Sequence, residues 1–101
     1  MIIRGTTPPI RFSFEHISPL AMTAAFLTIR QGGVVIEKDL SEAAAVTEKI
    51  LEWQLTQEET LALEANRQAK VQCRYKLTGD AVGASKIHDV PVSAVLKDGE
   101  I

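Results

Sequence analysis

The chain has 101 residues, a net charge of −2, 46% apolar and 24% charged residues, and a single cysteine. That is enough chain for one domain with its own core. No intramolecular disulfide is possible, and the acidic balance argues against a nucleic-acid binder, which would need a basic stripe. The opening MIIRGTTPPI lacks the apolar run of a signal peptide, and no window reaches the length of a membrane span, so the expectation is a protein made in the cytoplasm, unprocessed and without a membrane partner.

Residues 1–7 read as an N-terminal arm. Pro8-Pro9 cannot donate backbone hydrogen bonds, so regular pairing should begin after them. Ile2 and Ile3 are two isoleucines with no obvious local partner. They either fold back on their own domain or add to a neighbouring sheet, and they are candidate interface residues. Ile10, Phe12 and Phe14 then alternate with Arg11, Ser13 and Glu15, the pattern of a strand with an aromatic inner face. His16–Pro19 is a connector, with Pro19 holding Ser18 extended.

Met22–Asp39 reads as a hairpin. Ala25, Leu27 and Ile29 alternate with Phe26, Thr28 and Arg30, and Gln31-Gly32-Gly33 supplies the tight turn. Val34 and Val35 begin the returning strand and complete the set of candidate interface residues. Ser41–Gln54 admits two readings. Its Ala, Glu and Leu content suits a helix. The shared parity of Leu51, Trp53 and Leu55, against Glu52 and Gln54, suits a loop through Val46 followed by a strand to Leu55, which is the preferred reading. Thr56-Gln57-Glu58-Glu59 is a capping box and predicts one or two helical turns over Thr56–Leu61.

The cleanest alternation lies in the last third. Ala69, Val71, Cys73, Tyr75 and Leu77 alternate with Lys70, Gln72, Arg74 and Lys76. Thr78-Gly79-Asp80 provides a turn, and a returning extended segment runs through Val90, Val92 and Ala94, so Gln68–Leu96 reads as one long hairpin with a turn and a bulge between Gly79 and Gly83. The whole predicts an all-β domain spanning residues 1–101, a β-sandwich of six or seven strands with immunoglobulin-like or Greek-key connections.

No constellation of reactive groups emerges. His16 and His88 are distant in sequence, Cys73 falls on the inner face where a free thiol behaves as a small hydrophobe, and none of the serines lies in a Gly-x-Ser-x-Gly turn. The expectation is a non-enzyme with no metal and no cofactor. Trp53 is either a core plug or, if exposed, a stacking platform for sugars; its apolar neighbours Leu51 and Leu55 favour the core. Lys70, Arg74 and Lys76 form a basic stripe whose default is solvation and whose alternative is an acidic partner.

Several segments together resemble a family of small proteins encoded in phages and prophages of Gram-positive gut bacteria. They are Arg4-Gly5-Thr6-Thr7-Pro8, Thr28-Ile29-Arg30-Gln31-Gly32, Leu55–Leu61, Ala84-Ser85-Lys86-Ile87 and the tail Val92–Ile101. The similarity spans nearly the whole chain; His16-Ile17-Ser18 and Ala43–Ala45 depart from the pattern. The resemblance implies an immunoglobulin-like or similar sandwich that serves as a structural component near the phage tail, binding itself or other virion proteins and carried into the virion. It brings no catalytic residues. The runner-up is a carbohydrate- or host-surface-binding module of the same fold.

Overall fold

The computed structural model covers residues 1–101, and strands take up 49% of them against 11% helical. That proportion settles the ambiguous middle of the chain in favour of strands. Nine strands form two sheets. They are β1 (Ile2–Ile3), β2 (Pro9–Ser13), β3 (Met22–Gln31), β4 (Val34–Asp39), β5 (Ala45–Val46), β6 (Ile50–Gln54), β7 (Gln68–Leu77), β8 (Val82–Ala84) and β9 (His88–Ser93). One α-helix, α1 (Gln57–Leu61), and two single 3-10 turns at Pro19–Ala21 and Leu40–Glu42 complete the set. No helix is long and apolar enough to cross a membrane.

The main sheet runs in the order β1-β9-β7-β3-β4, with β8 also paired to β7. All its pairs are antiparallel except β1, which lies parallel to β9 with Ile2 opposite Val92. The second sheet is a small antiparallel one in the order β2-β6-β5. One core joins the two sheets. Leu27, Ile29, Ile36, Val71 and Cys73 come from the main sheet; Phe12, Leu51 and Trp53 come from the small one; Leu55 and Leu63 flank α1.

Alternation explains this directly. In β7 the residues Ala69, Val71 and Cys73 are buried while Lys70 and Arg74 are exposed, and in β3 Ala25, Leu27 and Ile29 are buried against exposed Phe26 and Arg30. The returning half of the long hairpin is β8 and β9 on the same side of β7. They are separated by a bulge at Ser85–Ile87, where the pairing register changes by one residue. Ser85 fills the gap in the ladder. Its Oγ accepts from the Cys73 amide at 3.0 Å, and its own amide donates to the Cys73 carbonyl at 2.8 Å. The turn lies at Gly79-Asp80, both with positive φ, within the expected Thr78–Asp80, whereas the bulge falls at Ser85–Ile87 and not between Gly79 and Gly83. Gly83 has a different reason to be glycine: a Cβ there would stand 2.6 Å from the Tyr75 ring.

Ser41–Gln54 is not a helix. Only Leu40–Glu42 makes a 3-10 turn, and the chain then enters β5 and β6. Burying Leu51 and Trp53 in the sheet-to-sheet core outweighs the local helix propensity of three alanines, which at a few tenths of a kcal/mol per residue is a weak term.

Residues 1–7 are not a free arm. Ile2 is 1% exposed, and β1 is an integral strand of the main sheet, so Ile2 belongs to the core and is corrected as an interface residue. Gly5 and Pro8 lie in the connection from the main sheet to β2. Gly5 has φ +76° and its amide donates to Thr60 Oγ1 at 3.0 Å.

Candidate functional site

A polar lock gathers the segments around α1. Thr56 and Glu59 form the reciprocal capping box, at 3.1 Å from the Glu59 amide to Thr56 Oγ1 and 2.8 Å from the Thr56 amide to Glu59 Oε1. The same Glu59 oxygen receives Lys38 Nζ at 2.9 Å, and that ammonium also donates to the Gln54 carbonyl at 3.1 Å. Lys38 thus points inward from β4 and is buried with its charge paired. At the other end of α1, Arg4 donates to the carbonyls of Leu63 (2.8 Å) and Leu61 (3.0 Å), which the short helix leaves unpaired, and bridges to Asp98 at 3.0 Å. Buried Thr60 donates its hydroxyl to the Thr6 carbonyl at 2.9 Å. Gln57 holds the backbone of Ile101. Gln31, buried at the end of β3, accepts from the Glu64 amide at 2.6 Å and donates to the Glu64 carbonyl at 2.9 Å. The segments Arg4–Pro8, Gln31-Gly32, Leu55–Leu61 and the tail therefore meet in one region, and their polar groups are consumed in holding backbone together.

An open cleft of about 390 Å³ lies between β2 and the β1–β9 edge, lined by Ile10, Phe12, Val71 and Val90 with His88, Asp89 and Arg11 among its polar groups. Its charges are already committed: Asp89 to Lys70 at 2.9 Å and Arg11 to Glu52 at 2.8 Å. No hydrogen bond joins His88 to either, so the three do not form an acid–base relay. His16 lies in the β2–β3 connection, remote in sequence and lining a different depression. Cys73 is fully buried, and burial pushes its thiol up from 9.0 to about 11, the opposite of what a nucleophile needs.

Trp53 is fully buried. It stands edge-on to Phe12 at 6.1 Å between ring centroids, and its indole N–H donates to the Asp39 carbonyl at 2.8 Å. It therefore offers no platform to a sugar. Phe26 is an exposed aromatic on the outer face of the main sheet.

The edge of the main sheet at β4 has a definite donor and acceptor pattern. The two-residue turn Gly32-Gly33 makes Gln31 and Val34 the hydrogen-bonded closing pair. Alternation then aims the amide and carbonyl groups of Val35, Glu37 and Asp39 away from β3. Those of Asp39 are satisfied, the amide by Glu42 Oε1 at 3.1 Å and the carbonyl by Trp53. Val35 and Glu37 keep theirs free for a neighbour. Of the four residues named as interface candidates, Val35 is exposed at this edge and Val34 is half-buried beside it. Ile3 is exposed on β1 at the opposite edge, and Ile2 is buried. The structure does not bring the four together.

On the outer face of the main sheet a shallow depression of about 330 Å³ is lined by Thr28, Arg30, Val35, Glu37, Lys70, Gln72, Arg74 and Ile87. Lys70 and Arg74 belong to the basic stripe read from β7. Arg30 was missed as its companion, although the parity of Phe26, Thr28 and Arg30 already placed it on that face. Lys76, the third member of the stripe, is paired with Asp80 at 3.2 Å.

A scan against protein-family models, a search of the curated proteins and a search of the solved structures each give no match for this chain.

Proposed function

We propose that this chain is a non-enzymatic structural module of a phage or prophage, associated with the tail or baseplate, that acts by protein–protein contact. In this reading the two sheets are an immunoglobulin-like, Greek-key variant of the sandwich, and the partners are further copies of the chain or other virion proteins. The observation that carries the protein-contact part is the β4 edge. Val35 and Glu37 present unpaired backbone groups beside an exposed Val35 side chain, while the polar side chains around α1 are spent on internal hydrogen bonds. The phage part rests on the sequence resemblance alone. The body is elongated, 46 × 24 × 20 Å, a shape that suits side-by-side assembly.

The test is a substitution that removes one outward donor and leaves the fold alone. Val35→Pro deletes an amide that points away from β3, a position where an edge strand tolerates proline. The native protein is expected to sediment as a concentration-dependent oligomer, or to appear by mass spectrometry in particles from an induced lysogen, and Val35→Pro is expected to abolish that association with the β signal intact. A native chain that is monomeric at all concentrations and missing from the particles would remove the proposal.

A further inference from the structure

The five arginines of the chain divide unequally. Arg4, Arg11 and Arg67 each hold a carboxylate at 3.0 Å or less, whereas Arg30 and Arg74 have no ion pair and no side-chain hydrogen bond. Both of these line the same depression on the outer face of the main sheet. The setting of Arg30 is costly to the fold. Arg30 lies directly opposite Lys70 across the β3–β7 pair, a like-charge juxtaposition that weakens a sheet. Lys70 is drawn off by Asp89 on its far side, and Arg30 is left without relief from that direction. Glu37, opposite Thr28 and diagonal to Arg30, also has no ion-pair partner, but it stands on β4, away from Arg74 on β7.

We propose that this face is a docking site for an extended acidic segment of a partner protein, with carboxylates at positions i and i+4 that engage Arg30 and Arg74. Arg74 pairs with Phe26, four residues before Arg30 on β3, so the two guanidinium groups start about 13 Å apart along the strand direction and one strand apart across it. An extended peptide repeats its side chains on one face every second residue, and its positions i and i+4 span about the same 13 Å. A guanidinium takes a carboxylate through two parallel hydrogen bonds, which gives each contact a fixed orientation. Between the two arginines lie the half-buried side chains of Thr28 and Gln72, with Val35 and Ile87 as apolar flanks. That mixture suits a peptide with an apolar residue between its two acids. It suits a nucleic-acid strand less, because none of the residues lining the depression is an aromatic ring on which a base could stack. The site rests on the reading of the chain as a protein-contact module but not on β4 edge pairing, so the two can fail separately.

The test is fluorescence anisotropy with a labelled peptide Ser-Thr-Glu-Thr-Val-Thr-Glu-Thr-Ser, run beside its glutamine counterpart, an acidic peptide with the two glutamates two residues apart, and a thymidine oligonucleotide of similar charge. Saturable binding is expected for the first peptide. Arg30→Gln and Arg74→Gln are each expected to weaken it about ten-fold, and Arg74→Lys should fail to restore it because the paired hydrogen bonds are lost. Glu37→Gln should tighten it. All three side chains are on the solvent side, so circular dichroism should match the native protein, with melting unchanged or, for Arg30→Gln, slightly raised by removal of the like-charge pair. Binding that ignores both arginine substitutions, equal binding of the glutamine or wrongly spaced peptide, or equal binding of the oligonucleotide would overturn the proposal, as would no saturable binding of the first peptide up to about 1 mM. Sedimentation of the same protein without peptide reads self-pairing at the edge independently: a monomer that binds the peptide removes self-association through β4 and keeps this site.

Discussion

Replacing Trp53 by alanine is the sharpest probe of the two-sheet core. The indole is fully buried, meets Phe12 edge-on at 6.1 Å and donates to the Asp39 carbonyl at 2.8 Å. Removing a buried tryptophan typically costs about 3–5 kcal/mol through lost burial and the cavity left behind. The Asp39 carbonyl, stripped of its donor at the end of β4, adds a share of the roughly 1–3 kcal/mol that an unsatisfied buried group costs. A domain of this length commonly has only about 5–15 kcal/mol in total. Trp53→Ala is therefore expected to be close to unfolding at ambient temperature, and Trp53→Phe supplies the measurable intermediate. Phenylalanine keeps the aromatic contact with Phe12 and loses the indole donor and part of the volume, for an expected loss of about 1–3 kcal/mol. Urea unfolding followed by far-UV circular dichroism gives both numbers without the tryptophan signal. If Trp53→Ala unfolds within about 1 kcal/mol of the native protein, the ring does not join the two sheets and the packing described above is wrong.

Further expectations concern the other buried groups. Cys73 should react with a thiol reagent only after unfolding, and because its thiol is raised from 9.0 to about 11 in the folded protein, its burial stabilises the fold fully below pH 9. About 2–3 kcal/mol of that stabilisation is lost as the pH rises through 11, so the excess alkaline loss of the native protein over Cys73→Ala measures it, and identical pH profiles would refute it. Lys38→Met should destabilise by about 2 kcal/mol by leaving the Gln54 carbonyl and Glu59 without their ammonium, less than a fully buried pair because Glu59 keeps the Thr56 amide and some solvent. A double-mutant cycle with Glu59→Gln should then show coupling above 0.5 kcal/mol, and simple additivity would mean the two do not interact. Deleting Met1–Thr7 should lower the melting temperature and leave the sedimentation coefficient of the folded species unaltered apart from mass, since Ile2 is core and Arg4 caps α1; a drop in oligomer size with melting unchanged would reinstate a bridging arm.

The strands that could be read from sequence are those whose alternation is long enough to exclude chance. β3 and β7 each run ten residues with one face buried, and the Thr56–Glu59 capping box fixes α1 by local chemistry alone. β1 was illegible because two residues carry no period, and its partner Val92 is far away in the chain. Lys38 was half legible. It shares parity with Val34 and Ile36 and so had to face inward, yet a lysine among Glu37 and Asp39 reads as surface until Glu59 is seen to meet it. The outer-face depression could not be anticipated as a unit, since Arg30 and Arg74 meet only through the register of β3 on β7.

The parallel pairing of Ile2 with Val92 also sets an order of events during synthesis. The strand that emerges first must wait for one made about ninety residues later, and at roughly 5–20 residues per second that is an interval on the order of 5–20 s. During it Ile2 has no sheet to enter, and Arg4 has neither the α1 carbonyls nor Asp98 to hold. The hairpin β3–β4 and its docking of β7 can form while the β1 segment stays solvated, so β1 is seated after strands that are made later than it. A bulky fusion ahead of Met1 would burden that closing step more than the same fusion placed at an internal surface turn such as Thr78–Asp80.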